Sequence, residues 1–252
     1  MVKRNELVRY LDERLETNTV EDVSINGLQV QGRDDVRKIG LATDAVLAVY
    51  KRAKDLDCDM LIAHHGIIWG GGIRSVTGRD FEHIRFLIES GINLYAAHLP
   101  LDAHPEVGNN AELARMVELG NREPFGNYHG VMLGFKGTLP KPMTLDELAA
   151  IWQKEIGGES IGLPFGKKTI NTLAVVSGGG SSALPEAIAK GIDCFVSGES
   201  RHEDHHLALE GKINVLYLGH YHSETAGVRA VGLEIAERFD VETVFIDEPT
   251  IV

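Results

Sequence analysis

Three short stretches carry the residue types that bind metal ions: "MLIAHHG" from Met60, "HLPLDAH" from His98 and "GHYHSE" from Gly219. Together they offer His64, His65, His98, Asp102, His220 and Glu224. Imidazole nitrogen and carboxylate oxygen suit zinc, iron, manganese or nickel, so the donor set implies divalent cations without naming the metal. One zinc takes about four ligands, and this set fits two ions better than one. Consecutive Cα atoms lie about 3.8 Å apart and paired catalytic metals roughly 3.5–4 Å apart. His64 and His65 are therefore read as serving different ions, with Asp102 or Glu224 bridging. Two such ions outweigh the charge of two carboxylates and leave a pocket suited to an anionic or electron-rich small substrate. Bound metal also lowers the pKa of water towards about 7, which points to hydrolysis. His98, if not a ligand, is placed to move protons.

Each stretch alone has an ordinary explanation. A tandem histidine can be a polar strand edge, His and Asp suit turns, and "HYHSE" suits a helix N-terminus with a well-placed Glu. What favours metal is that all three fragments follow apolar, strand-like runs, and the carboxyl edge of an open α/β sheet is where ligands bind.

The elements that must position these residues form an internal repeat. "KIGLATDAVLAVYKRAKDLDCDMLIAHHG" reads as strand, helix, strand, and so does "TLAVVSGGGSSALPEAIAKGIDCFVSGES", about 135 residues later. This βαβ grammar predicts parallel sheets covered by helices. The fold class expected is α/β: two similar three-layer lobes with mainly parallel sheets, related by duplication. Further units fit the frame. "GINLYAAHLPLDAH" is a strand running into a polar turn, with a helix over 110–119. "KINVLYLGHYHSE" is a strand ending at His220, followed by a helix to Phe239 and a last strand "VETVFID". "VMLGFKGTLP" reads as a strand, and Thr144 with Glu147 forms a capping box ahead of a helix.

Bulk properties remove whole classes of function. A net charge of −12 argues against general nucleic-acid binding. No apolar run approaches the roughly 20 residues of a membrane span. The opening segment, with Leu7, Leu11 and Leu15 at helical spacing, reads as an amphipathic helix rather than a signal peptide. Cys58 and Cys194 lie in apolar runs outside any CxxC, as buried thiols of a reducing, cytoplasmic protein do.

Two other motifs compete. In "SGGGSSA", Gly178, Gly180 and Ala183 match G-x-G-x-x-A, with Glu199 at the distance of a ribose contact. That would make the chain an NAD-type oxidoreductase, against a short following helix with Pro185 in its first turns. "RHEDHH" from Arg201 reads first as a solvated face. Glu199 and His206 are its neighbourhood's candidates for lining a substrate cavity from the second lobe.

The motifs "NGLQV" (from Asn26), "AHHG", "HLPLDAHPEVGNN", "SGGG", "SGE" (from Ser197) and "GHYHSE" together resemble the Nif-three-like family, whose members are often labelled type-two homologues of GTP cyclohydrolase I. The resemblance spans nearly the whole chain. It implies a dinuclear metal site with ligands at His64, His65, Asp102, His220 and Glu224, with His98 as a near-site residue. It implies homohexamers, and lobes formed by residues 1–104 with about 222–252 and by about 105–221, with the metal site between them. The label implies water attack on the imidazole ring of guanine in GTP with loss of formate. The sequence carries no glycine-lysine phosphate loop. The reading is a dinuclear metal-dependent hydrolase of a nucleotide or heterocycle; the alternative is a non-catalytic metal-binding or regulatory interaction protein.

Overall fold

A computed structural model describes residues 1–250. The chain divides into two compact units, Met1–Leu101 with Val228–Glu248, and Asp102–Gly227 with Pro249 and Thr250. The first unit runs β1 (Val2–Lys3), α1 (Arg4–Arg14), β2 (Gly27–Val30), β3 (Asp35–Val36), β4 (Lys38–Asp44), α2 (Leu47–Asp55), β5 (Met60–His65), α3 (Gly78–Ser90) and β6 (Asn93–Ala96). Helix α4 (Leu99–Ala103) leads into the second unit. There follow α5 (Asn109–Met116), β7 (Gly120–Tyr128), β8 (Val131–Met143), α6 (Leu145–Ile156), β9 (Ile161–Pro164) and β10 (Ile170–Val176). After a 3-10 turn at Gly180–Ala183 come α7 (Leu184–Ala189), β11 (Cys194–Ser197), α8 (Asp204–Gly211), β12 (Asn214–Tyr217) and α9 (His220–Ser223). Helix α10 (Thr225–Phe239) returns to the first unit, which closes with β13 (Glu242–Phe245). Among the described residues no helix is long and apolar enough to cross a membrane.

The first unit's main sheet has the order β13-β4-β5-β6-β2, parallel except for β2. Side chains alternate across it. Leu61 and Ala63 of β5 pack with Val49, Tyr50, Ala53 and Leu87 of α2 and α3. On the opposite face Tyr95 of β6 donates a hydrogen bond to Asp12 of α1 (2.9 Å). A methyl on Gly232 of α10 would fall 2.1 Å from Leu41, so that helix lies directly against β4. The predicted leucine stripe of α1 is buried: Leu7, Leu11 and Leu15 are at most 2% exposed.

The second unit repeats this plan. Strands β10, β11 and β12 run parallel, with β9 antiparallel at one edge and the β7–β8 hairpin antiparallel at the other. Leu113 of α5 and Trp152 of α6 pack on one face of the sheet, and the capping box at Thr144 and Glu147 forms as expected. Three antiparallel pairings make this sheet more mixed than the repeat alone suggests. Strand β7 was hidden in sequence because Pro124 and Gly126 interrupt it, which an edge strand tolerates.

The same polar clamps occur in both units. Asp59 precedes β5 and its Oδ2 accepts the backbone N–H of Arg37 (2.9 Å) and Lys38. Asp193 precedes β11 and its Oδ2 accepts those of Asn171 (3.0 Å) and Thr172 (3.1 Å). Asn93 donates to the Asp59 carbonyl (2.9 Å), as Asn214 does to that of Asp193 (3.3 Å). Arg33 pairs with Asp59 and Lys167 with Asp193. Each clamp fixes the register in which two parallel strands begin, and so where they end.

Burial alone would raise the Asp193 carboxyl, but the hydrogen bonds from Lys167, Asn171 and Thr172 outweigh it and hold it below its ordinary value. A depressed carboxyl contributes stability above the ordinary pKa and loses it as pH falls through the folded value. Asp193→Ala should therefore cost about 1–3 kcal/mol in urea unfolding at neutral pH, leaving two strand N–H groups without their acceptor. The gap between variant and parent should narrow below pH 3.8; a gap that widens there would contradict this account.

Candidate metal centre

Strand β5 ends on His64 and His65, and the chain after β6 reaches His98 two residues on. Because β5 and β6 are parallel neighbours, these ends share one sheet edge. The rings of His64 and His65 lie 4.5 Å apart between centroids, and that of His98 lies 5.2 Å from His64 and 5.5 Å from His65. One nitrogen from each of the three falls within 4.8 Å of the others.

Each ring is held by its Nδ1. That of His64 lies 2.9 Å from the Ala97 carbonyl, that of His65 2.9 Å from Asp44 Oδ1, and that of His98 2.9 Å from Asp22 Oδ1. These acceptors require a proton on each Nδ1 and leave Nε2 as the nitrogen that could face a cation. Fixing tautomer and ring direction in this way is the usual outer-shell device at metal-bound histidines. The Asp22 carboxyl is pulled both ways: burial raises it, but the hydrogen bond and charge of His98, helped by Asn26 and the Ser24 N–H, hold it near 2. Asp22 Oδ2 also accepts the N–H of Leu99 (2.9 Å), and Asn26 Oδ1 that of His98 (2.7 Å). The backbone carrying His98 is thus held as firmly as its ring.

In the second unit the donors are mainly carboxylates. The turn expected after β6 is helical, so Asp102 sits on α4. Its Oδ1 accepts from Asn109 Nδ2 (2.9 Å) and Ser177 Oγ (3.0 Å). Asn110 ties Ser177 to this group through the Ser177 N–H (2.7 Å). Strand β12 stops at Tyr217, earlier than the expected His220, because Gly219 turns the chain at φ +86 and a short helix begins. Glu224 follows that helix as its cap, buried at 3% exposure. Oxygens of Asp102 and Glu224 lie within 4.8 Å of each other. Two buried carboxylates this close need positive charge.

His220 supplies one such charge. Its Nε2 lies 3.2 Å from Glu224 Oε2 and its Nδ1 3.0 Å from Glu199 Oε2. The hydrogen bond to Glu224, against the opposing effect of burial and aided by Glu199, pushes the imidazole up to about 10. A cation at Nε2 would replace that proton, so binding would release it.

The "SGGG" loop has a physical reason other than a pyrophosphate. A Cβ on Gly178 would fall 1.9 Å from Glu224 Oε1, and the residue adopts φ +55. The glycine admits a carboxylate, which would repel a phosphate. His206 lies exposed on the first turns of α8, its ring 5.4 Å from that of His205. Glu199 therefore joins the His220 cluster, and His206 is in none of the candidate ligand groups among the described residues.

Several supporting residues went unassigned in sequence: Asp22, Asp44, Asn109, Asn110 and Ser177. Asp44 ends the first strand of the repeat, and "GNN" was visible as a motif without a role. Position along the chain carries no hint of which carboxylate meets which ring.

A family model described as DUF34/NIF3 (NGG1p interacting factor 3) matches residues 2–250. A protein from Archaeoglobus fulgidus named GTP cyclohydrolase 1 type 2 homolog is 47% identical over 245 residues, 97% of this chain and 98% of its own. One of the same name from Pyrococcus horikoshii is 46% identical over 248 residues, 98% of each chain. The crystal structure of a Thermus thermophilus protein is 39% identical with a TM-score of 0.92, covering 100% of both chains. Reduced HcgD from Methanocaldococcus jannaschii is 28% identical with a TM-score of 0.85 over 98% of each. With one model matching nearly its full length and relatives this similar along it, the chain belongs to the DUF34/NIF3 family.

Proposed function

We propose that the protein is a dinuclear metal-dependent hydrolase acting on a nucleotide or related heterocycle. The proposed ligands are His64, His65, Asp102, His220 and Glu224. The observation that carries this reading is the first unit's trio of imidazoles, with each Nδ1 committed to an oxygen and nitrogens within 4.8 Å of one another. The donor chemistry fits: imidazole nitrogen and carboxylate oxygen are what divalent cations of this kind take. The names of the relatives, GTP cyclohydrolase 1 type 2 homolog, support the substrate class.

Divalent cations would supply Lewis acidity and a more acidic water. The chain's own residues do the rest. Asp44 and the Ala97 carbonyl orient the ligand rings. His98, with Asp22 on its Nδ1, exchanges protons with the substrate at Nε2. Glu199 holds His220 in place from the far side of its ring.

A second reading, a non-catalytic metal-binding interaction protein, draws on the family description as an interacting factor. It is separated from the first by whether metal-loaded protein hydrolyses any member of a nucleotide and heterocycle panel. We also propose a cytoplasmic homohexamer, as the family resemblance implies. Light scattering should give six times the chain mass, and a monomer in solution would refute that part alone.

Elemental analysis of protein purified without a histidine tag should find two divalent ions per chain. His64→Ala and His65→Ala should each lose part of this metal while remaining folded by circular dichroism, and full retention in both would sink the proposal. Asp44→Ala removes only the support of His65, so metal affinity should fall by roughly 10–100-fold rather than vanish, as read by competition with a chelating dye.

A further inference from the structure

Beside the imidazole trio stands an aromatic ring that nothing in the metal reading uses. The indole of Trp69 lies 5.0 Å from the ring of His98, at 72° to it, and 6.1 Å from that of His65. Trp69 is nonetheless 38% exposed. Its Nε1 donates to the Gly66 carbonyl (2.9 Å), which fixes the ring beside the histidines.

The backbone beneath it is a short two-stranded ribbon. Ser24 bridges Trp69, and Ile25 N–H donates to the Ile68 carbonyl (3.0 Å). Gln29 staples the ribbon by accepting the N–H of Ile67 (2.7 Å) and Ile68 (3.1 Å) and donating to Ile25 (2.6 Å). Val23 and Ile25, on the same ribbon, are 57% and 45% exposed. The three residues after Trp69 are Gly70, Gly71 and Gly72, and a Cβ on any of them would meet nothing within 4 Å. A part-exposed indole, pinned at Nε1 and followed by open space, is an unusual use of surface beside a group of polar rings.

We propose that Trp69 is a stacking platform, and that the ligand taken beside the imidazole trio carries a planar heteroaromatic ring. Stacking on an indole face tolerates many ring substituents, since every base has a π-face. Trp69 would thus set the class of ligand and hold its ring, while atoms outside the ring choose among members of that class. The proposal rests on the hydrolase reading for the reaction, but its binding test stands apart from metal content.

The protein has two tryptophans, and Trp152 is fully buried, so a stacked ligand can quench only Trp69 directly. The probes are GMP, AMP, CMP and a pterin, with ribose 5-phosphate as the control without an aromatic ring. At least one aromatic probe should quench saturably, and ribose 5-phosphate should not. Trp69→Ala should weaken calorimetric binding of that probe about tenfold, Trp69→Phe should restore most of it, and metal content should be unchanged in both. The proposal is overturned if no aromatic probe quenches, or if ribose 5-phosphate binds as tightly. It is also overturned if Trp69→Ala alters oligomeric mass but leaves probe affinity within twofold, which would make the ribbon an interface between copies. Loss of the metal reading by elemental analysis, with quenching intact, would separate the two claims.

Discussion

Parallel strands all deliver their carboxyl ends to the same edge of a sheet, and this constraint organises the candidate site. Once β4, β5 and β6 run side by side in one direction, whatever the chain places just after each of them must gather there. Asp44, His64, His65 and His98 are far apart in sequence and meet for that reason. The clamp at Asp59 and Asn93 sets the starting register of these strands, so a group at the opposite edge decides which rings can touch.

The second unit shows the same frame with different chemistry at its edge. Asp193 and Asn214 repeat the clamp, and β10, β11 and β12 repeat the parallel core. Yet where the first unit offers imidazole nitrogen, the second offers Asp102, Glu199 and Glu224, with His220 between two of them. Duplication preserved the scaffold and left the loops free to diverge, since loop residues bear little of the packing. The two sheet edges thus differ in chemistry: the first unit's carries a cluster of imidazole rings, the second's mainly carboxylates around one imidazole.

That charge also accounts for features resembling other functions. The glycine loop after β10 has the spacing of a dinucleotide fingerprint, yet Gly178 is small because Glu224 approaches it. His104, in the same motif as Asp102, accepts the N–H of Glu106 (3.2 Å) and Val107 (3.1 Å) and so closes a turn. Residue types common at metal sites are common in turns too, and only their partners distinguish the two uses.

Sequence by itself determined the α/β class, the duplication, the amphipathic first helix and the family, because hydrophobic period and motif spacing are local properties of the chain. It also pointed to the strand-end histidines, since an apolar run that stops on polar rings is visible without coordinates. Only tertiary structure decided that Asp22, Asp44 and Glu199 hold His98, His65 and His220, because each pair joins segments distant in the chain or separated by a turn. The early end of β12 and the helical placement of Asp102 were equally hidden, since a positive-φ glycine and a one-turn helix leave no periodic trace. Strand β7 escaped because an edge strand need not obey the alternation that burial on both sides imposes.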